Sequence, residues 1–142
     1  MPLQIIDHGS FQHRQMVDLR FSVLRKPLGL GFSKEDLESE KNDILIGFFD
    51  EEKIEGCCIL TKEDSKTVRL RQMAVLSGLQ GKGIGRTIMH FAENIARDRG
   101  YQRLNMHALK TAIGFYEKLG YSIEGSEFIE VLIPHYEMVK DL

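Results

Sequence analysis

The stretch from residue 67 to residue 108 constrains the fold more than any other. "TVRLRQMAV" (67–75) reads as a strand, and "LSGLQGKGIGR" (76–86) is a glycine-rich turn. Residues 83–99 then place Ile84, Ile88, Phe91 and Ile95 at helical spacing. Gly100 stops that helix, and 103–108 is strand-like again. A crossover helix between two strands of one sheet makes them parallel. In strand 67–75, alternation puts Val68, Leu70 and Gln72 on one side and Arg69, Arg71 and Met73 on the other.

The flanking segments fill in the rest of one domain. Residues 3–6 form a short strand. A helix over 11–24 sets Phe11, Val17, Phe21 and Leu24 near one face, with Ser10 as N-cap. Pro27, Gly29 and Gly31 break the chain, and Ser33 caps a short helix over 34–39. Strands 43–49 and 54–61 flank the polar turn "DEEK" and form an antiparallel hairpin. A helix over 111–119 gathers Ala112, Phe115, Tyr116 and Leu119 on one face. Strands 122–128 and 135–140 follow, with Pro134 outside the sheet interior. The order β-α-α-β-β-β-α-β-α-β-β predicts an α/β (α+β) domain with a mixed central sheet, spanning residues 1–142.

Composition narrows the function. A net charge of −2 speaks against a nucleic-acid partner. No apolar run approaches the roughly 20 residues that cross a membrane, and "MPLQIIDHGS" does not read as a signal peptide. Cys57 and Cys58 are adjacent and point to opposite faces of a strand, so they read as unpaired core residues. A reducing cytoplasm is the expected compartment, and no metal is expected.

Strand, glycine loop and helix N-terminus together suit an anion. Free N–H groups and the helix dipole point at it, glycines let it come close, and Lys82 and Arg86 add charge. It is not a P-loop, because Ile84 and Gly85 stand where Lys and Ser/Thr are required. Nor does it fit G-x-G-x-x-G, because Arg86 and Ile88 fall where the third glycine belongs. By itself such a turn is also compatible with tight packing and no ligand.

Two longer matches decide between these. Gln80, Gly83 and Gly85, preceded by Met73-Ala74-Val75, resemble the coenzyme-A signature of the GNAT superfamily of N-acetyltransferases. "ALKTAIGFYEKLGY" resembles the helix that follows in that family. Phe128, Glu130, Ile133, Pro134, His135 and Met138 look like the ending of one small single-domain subgroup, F-x-E-x-x-I-P-H-x-x-M. "VLRKPLG" (23–29) and "LNMHA" (104–108) look like the same subgroup. The resemblance implies a GNAT-type fold whose parallel strands splay, usually at a bulge, to admit acetyl-CoA. The amides of Gln80, Gly81, Lys82, Gly83, Ile84, Gly85 and Arg86 would hold the pyrophosphate. Met73, Ala74 and Val75 would pair with the pantetheine arm, and Phe115 and Tyr116 would lie beside the sulfur.

The activity so implied is acetyl transfer to a primary amine of a small molecule or peptide, by direct attack in a ternary complex. Tyr116 is the candidate general acid, or else a core tyrosine. His107, Glu130 and His135 form a candidate polar cluster for the amine proton, or else a brace for the last strands. Arg14, Arg20, Arg25 and Lys26 border the acceptor region and could attract an acidic group, or else form a solvated face. The segment "LKT" departs from the family's usual Asn, which puts that contact to the coenzyme in doubt. A homodimer is common among relatives. The competing reading is a non-catalytic acyl-CoA-binding module on the same fold.

Overall fold

The computed structural model describes residues 2–31 and 33–142. Seven strands form one sheet in the order β1-β2-β3-β4-β5-β7-β6. They are β1 (Leu3–Ile6), β2 (Ile44–Asp50), β3 (Lys53–Lys62), β4 (Thr67–Val75), β5 (Arg103–Leu109), β6 (Ser122–Glu130) and β7 (Ile133–Asp141). The helices are α1 (Phe11–Arg20), α2 (Lys34–Glu38), α3 (Ile84–Asp98) and α4 (Ile113–Glu117). β4 and β5 are parallel, and every other neighbouring pair is antiparallel. The predicted mixed sheet and element order are therefore those of the protein.

Local chemistry starts the helices where the sequence indicates. The Ser10 hydroxyl accepts from the His13 N–H at the start of α1. Ser33 and Asp36 form a reciprocal capping box at α2.

Two cores sandwich the sheet. Val68 and Leu70 of β4 pack with Ile88, Met89 and Ala92 of α3 and with Leu104 and Met106 of β5. On the other face Cys57, Ile59 and Ala74 pack with Met16 and Leu19 of α1. Both cysteines are free and buried. Burial pushes the Cys57 thiol up to about 12 and Cys58 well above the ordinary range, so both are inert core residues.

Strict alternation fails in β4. Residues Arg71 to Ala74 oppose only Ile59 to Cys57, so β4 carries one extra residue. Gln72 absorbs it with φ 57. Beyond that bulge the parity reverses: Met73 joins the α3 core, and Ala74 joins the α1 core. The expectation that Gln72 shares a side with Leu70, and Met73 with Arg71, is corrected accordingly.

The α1 face also differs from expectation. His13, Met16, Leu19 and Arg20 are its buried residues, while Phe11 is 66% exposed. The helix ends at Arg20 and passes into a π-helical turn over Phe21–Arg25. The face is turned by Arg20, which is buried because both its terminal nitrogens bond Glu40, at 2.8 and 2.7 Å. Periodicity treats arginine as an outside residue and could not see that partner. Pro134 does lie within β7, opposite Ile129 of β6, but past the last residue that pairs with β5. Its missing N–H therefore breaks no ladder on that side.

Close approach of α3 to the sheet depends on Gly56. A Cβ there would lie 2.7 Å from Ile88 Cδ1 and 3.0 Å from Ile84 Cγ2. Ile88 is fully buried, so its side chain would have to shift against packed neighbours. Gly56→Ala is expected to lower unfolding stability by about 1–3 kcal/mol through overpacking. Urea titration would measure it, and an unchanged midpoint would refute the close packing.

Candidate active site

The site forms where β4 and β5 part. They pair only from Thr67↔Arg103 to Leu70↔Met106, although β4 continues to Val75 and β5 to Leu109. The bulge at Gln72 lies at the point of divergence. The gap opens into a cleft of about 960 Å³.

The glycine loop closes one end of this cleft. Gly78, Gly81 and Gly83 have φ 91, 83 and 88, a region that side chains with a Cβ rarely occupy. A Cβ at any of the three would meet nothing within 4 Å, so the loop is open and backbone conformation is what demands glycine. The first intrahelical bond of α3 runs from the Thr87 N–H to the Gly83 carbonyl. The amides before it therefore have no helical acceptor. No side chain caps this end. Gln80 Nε2 donates to the Val75 carbonyl at 3.2 Å and ties the loop to β4. Gly85 meets the Phe115 ring, which a Cβ would approach to 3.2 Å.

The cleft is lined by the predicted Met73, Ala74, Val75, Gln80, Gly81, Gly83, Ile84, Gly85, Arg86, Phe115 and Tyr116. Lys82 is exposed and does not line it. Thr111 lines it from the segment that lacks the family's asparagine.

Tyr116 projects from α4 and is 6% exposed. Phe115 and Tyr121 stand edge-on to its ring at 5.0 and 5.9 Å. Burial pushes its hydroxyl well above the usual phenol range, so it holds its proton at neutral pH. The end of α4 is fastened from outside. Lys140 Nζ donates to the Leu119 carbonyl at 2.8 Å and pairs with buried Glu93 at 3.0 Å. The Tyr121 hydroxyl donates to the same Glu93 carboxylate at 2.7 Å.

His107, Glu130 and His135, predicted to cluster, all line the cleft together. His107 Nδ1 lies 3.0 Å from Glu130 Oε1. With the carboxylate ionised this nitrogen is the donor, which leaves Nε2 as the proton acceptor. His135 Nδ1 is 2.8 Å from the Ile133 carbonyl and so carries a hydrogen, while its Nε2 faces Glu130 Oε2 at 3.9 Å. Phe128 is edge-on to His107 and stacked on His135. The turn between β6 and β7 is Val131-Leu132, with φ 49 and 71. Two side chains with a Cβ in that region are strained, and the strain sits beside Glu130.

Of the four basic residues near α1, only Arg25 lines the cleft; Arg20 is committed to Glu40. Val23, Leu24, Arg69 and Arg71 also line it; the sequence placed the first two in "VLRKPLG" and the last two on one face of β4, but named none of them as a site residue. The adjacent polar residues Arg71 and Gln72 are the one break in alternation that could have signalled the bulge. Among the described residues no group of three or more His, Cys, Asp or Glu is placed to hold a metal. No helix among them is long and apolar enough to cross a membrane.

Residues 11–121 match the model of the acetyltransferase (GNAT) family. The uncharacterized N-acetyltransferase YjcF of Bacillus subtilis (strain 168) is 32% identical over 108 residues, 75% of each chain. The uncharacterized protein YyaT of the same organism is 36% identical over 76 residues, 54% of this chain and 51% of that one. The match thus spans about half the length of YyaT. The crystal structure of an aminoglycoside 6'-N-acetyltransferase complexed with coenzyme A superposes with a TM-score of 0.82 at 20% identity, covering 99% of this chain and 97% of that one. A GNAT family acetyltransferase from Elizabethkingia anophelis with acetyl-CoA bound gives 0.76 at 19% identity, covering 99% and 97%.

Proposed function

The chain belongs to the GNAT acetyltransferase family, and from that premise we propose that it moves an acetyl group from acetyl-CoA to a primary amine by direct attack in a ternary complex. The observation that carries this reading is the parting of β4 and β5 beside an open glycine nest. A thioester arm can lie between the strands while its pyrophosphate sits on the amides at the start of α3.

Each chemical task then has a group within the cleft. Amides of the loop 80–86 hold the pyrophosphate, and Arg86 adds charge. Backbone of Met73 and Val75 positions the pantetheine arm. An N–H near Met73 or Ala74 donates to the carbonyl oxygen as it gains negative charge. His107 Nε2 accepts the amine proton, with Glu130 fixing the ring through Nδ1. The C–N bond forms and the C–S bond breaks. Tyr116 donates its proton to the departing thiolate. Holding the two reactants together supplies much of the rate.

Gly83→Glu tests the nest. It sets a side chain at φ 88 and a carboxylate where the phosphates would sit. Acetyl-CoA binding by calorimetry is expected to be lost, and retained micromolar affinity would refute the nest. In the native protein, thiol release from acetyl-CoA against a panel of amines separates the enzyme from the non-catalytic module. Coenzyme binding with no transfer to any amine would favour the latter. Small-molecule amines and peptide amines are both acceptors this cleft could take.

A further inference from the structure

The charges around the acceptor end of the cleft select among amines, given the acetyl-transfer reading above. Glu130 is the only carboxylate lining the cleft among the described residues. Four guanidinium-bearing residues line it: Arg86 at the phosphate nest, and Arg25, Arg69 and Arg71 toward the acceptor. They differ in their commitments. Arg69 is held by Glu63 at 2.7 Å, and Glu63 is held in turn by Asn105. Arg71 lies near Asp36, one of whose carboxylate oxygens accepts from the Ser33 N–H in the capping box. Arg71 reaches its nearest paired carboxylate, Asp43, only at 3.9 Å, with 38% of its side chain exposed. It stands on β4 one residue before the bulge, where the strands open. The lining of the same cleft also includes the apolar Val23, Leu24, Leu28, Val131 and Ile133.

We infer that the acceptor carries a single amine and, at its far end, a carboxylate that Arg71 binds. One ammonium finds its partner at Glu130, beside the base that will deprotonate it. A second ammonium on the same molecule would meet guanidinium groups rather than a carboxylate, and burying an unpaired charge there is unfavourable. A carboxylate in that position gains a charge-assisted contact that can be bidentate. Polycationic amines are therefore poor acceptors, and amino acids with an apolar spacer are good ones.

The test uses straight-chain ω-amino acids of three to seven methylenes, with the alkylamines and α,ω-diamines of matching length. Two readouts are taken: kcat/KM for acetyl transfer, and binding to the coenzyme-A complex by calorimetry. At the best length the amino acid is expected to exceed the diamine by at least about tenfold, the scale of one hydrogen bond to a charged group. Arg71→Gln should lower the amino acid to alkylamine ratio by about tenfold, and Arg71→Lys should retain most of it. Diamines that match or surpass amino acids overturn the inference. So does a ratio indifferent to Arg71→Gln, or a failure of every amino acid to bind. Arg71-dependent binding without transfer leaves the inference standing and overturns the acetyl-transfer reading instead. Transfer to diamines alone does the reverse.

Discussion

Tyr116→Phe is expected to lower kcat by about 100-fold while acetyl-CoA affinity changes by less than about threefold. The change removes one oxygen and keeps the ring. The packing against Phe115 and Tyr121, at 5.0 and 5.9 Å, is preserved. What is lost is the only chemistry the ring offers, a proton for the departing thiolate. General acid catalysis contributes roughly 10²–10⁴-fold, and a 100-fold loss corresponds to about 2.7 kcal/mol in the barrier. Burial supports the role by keeping the hydroxyl protonated across the neutral range. A core tyrosine behaves differently: its loss lowers stability and leaves turnover alone. Steady-state kinetics with calorimetric binding of acetyl-CoA would decide. Equal turnover in the two proteins would remove Tyr116 as the acid.

The frame of this site was legible because it is written in local signals. Alternation over 67–75, the glycines of 78–85 and the stripe of Ile84, Ile88, Phe91 and Ile95 each act within a few residues of themselves. They became β4, the nest and α3. The meeting of His107 with Glu130 and His135 came from resemblance, not pattern. Those residues lie on β5, β6 and β7 and meet only through strand register. What could not be read depends on long-range partners. Arg20 turns inward because Glu40, twenty residues on, is there to meet it. Gln72 adopts a positive φ where β4 takes an extra residue against β3 and has already parted from β5. Arg71 lines the cleft one residue from that bulge.

Glu40→Ala is expected to be the most destabilising of these substitutions, at about 3–5 kcal/mol. Arg20 and Glu40 are 0% and 2% exposed, and two parallel contacts of 2.8 and 2.7 Å join them. Removing the carboxylate leaves the guanidinium buried without it, and the desolvation penalty is no longer offset. Against the 5–15 kcal/mol of a typical domain, that loss brings the chain near its folding limit. Urea titration measures it, and a loss below about 1 kcal/mol would sink the argument. Arg20→Met combined with Glu40→Leu should recover most of the stability, because two apolar side chains need no partner. The pair also bears on the site. The residues immediately after Arg20 carry Val23, Leu24 and Arg25 into the cleft, and Glu40 anchors that segment from beyond α2. In the single variant, acceptor KM should therefore rise before acetyl-CoA affinity falls, because the nest at α3 stands on the opposite core.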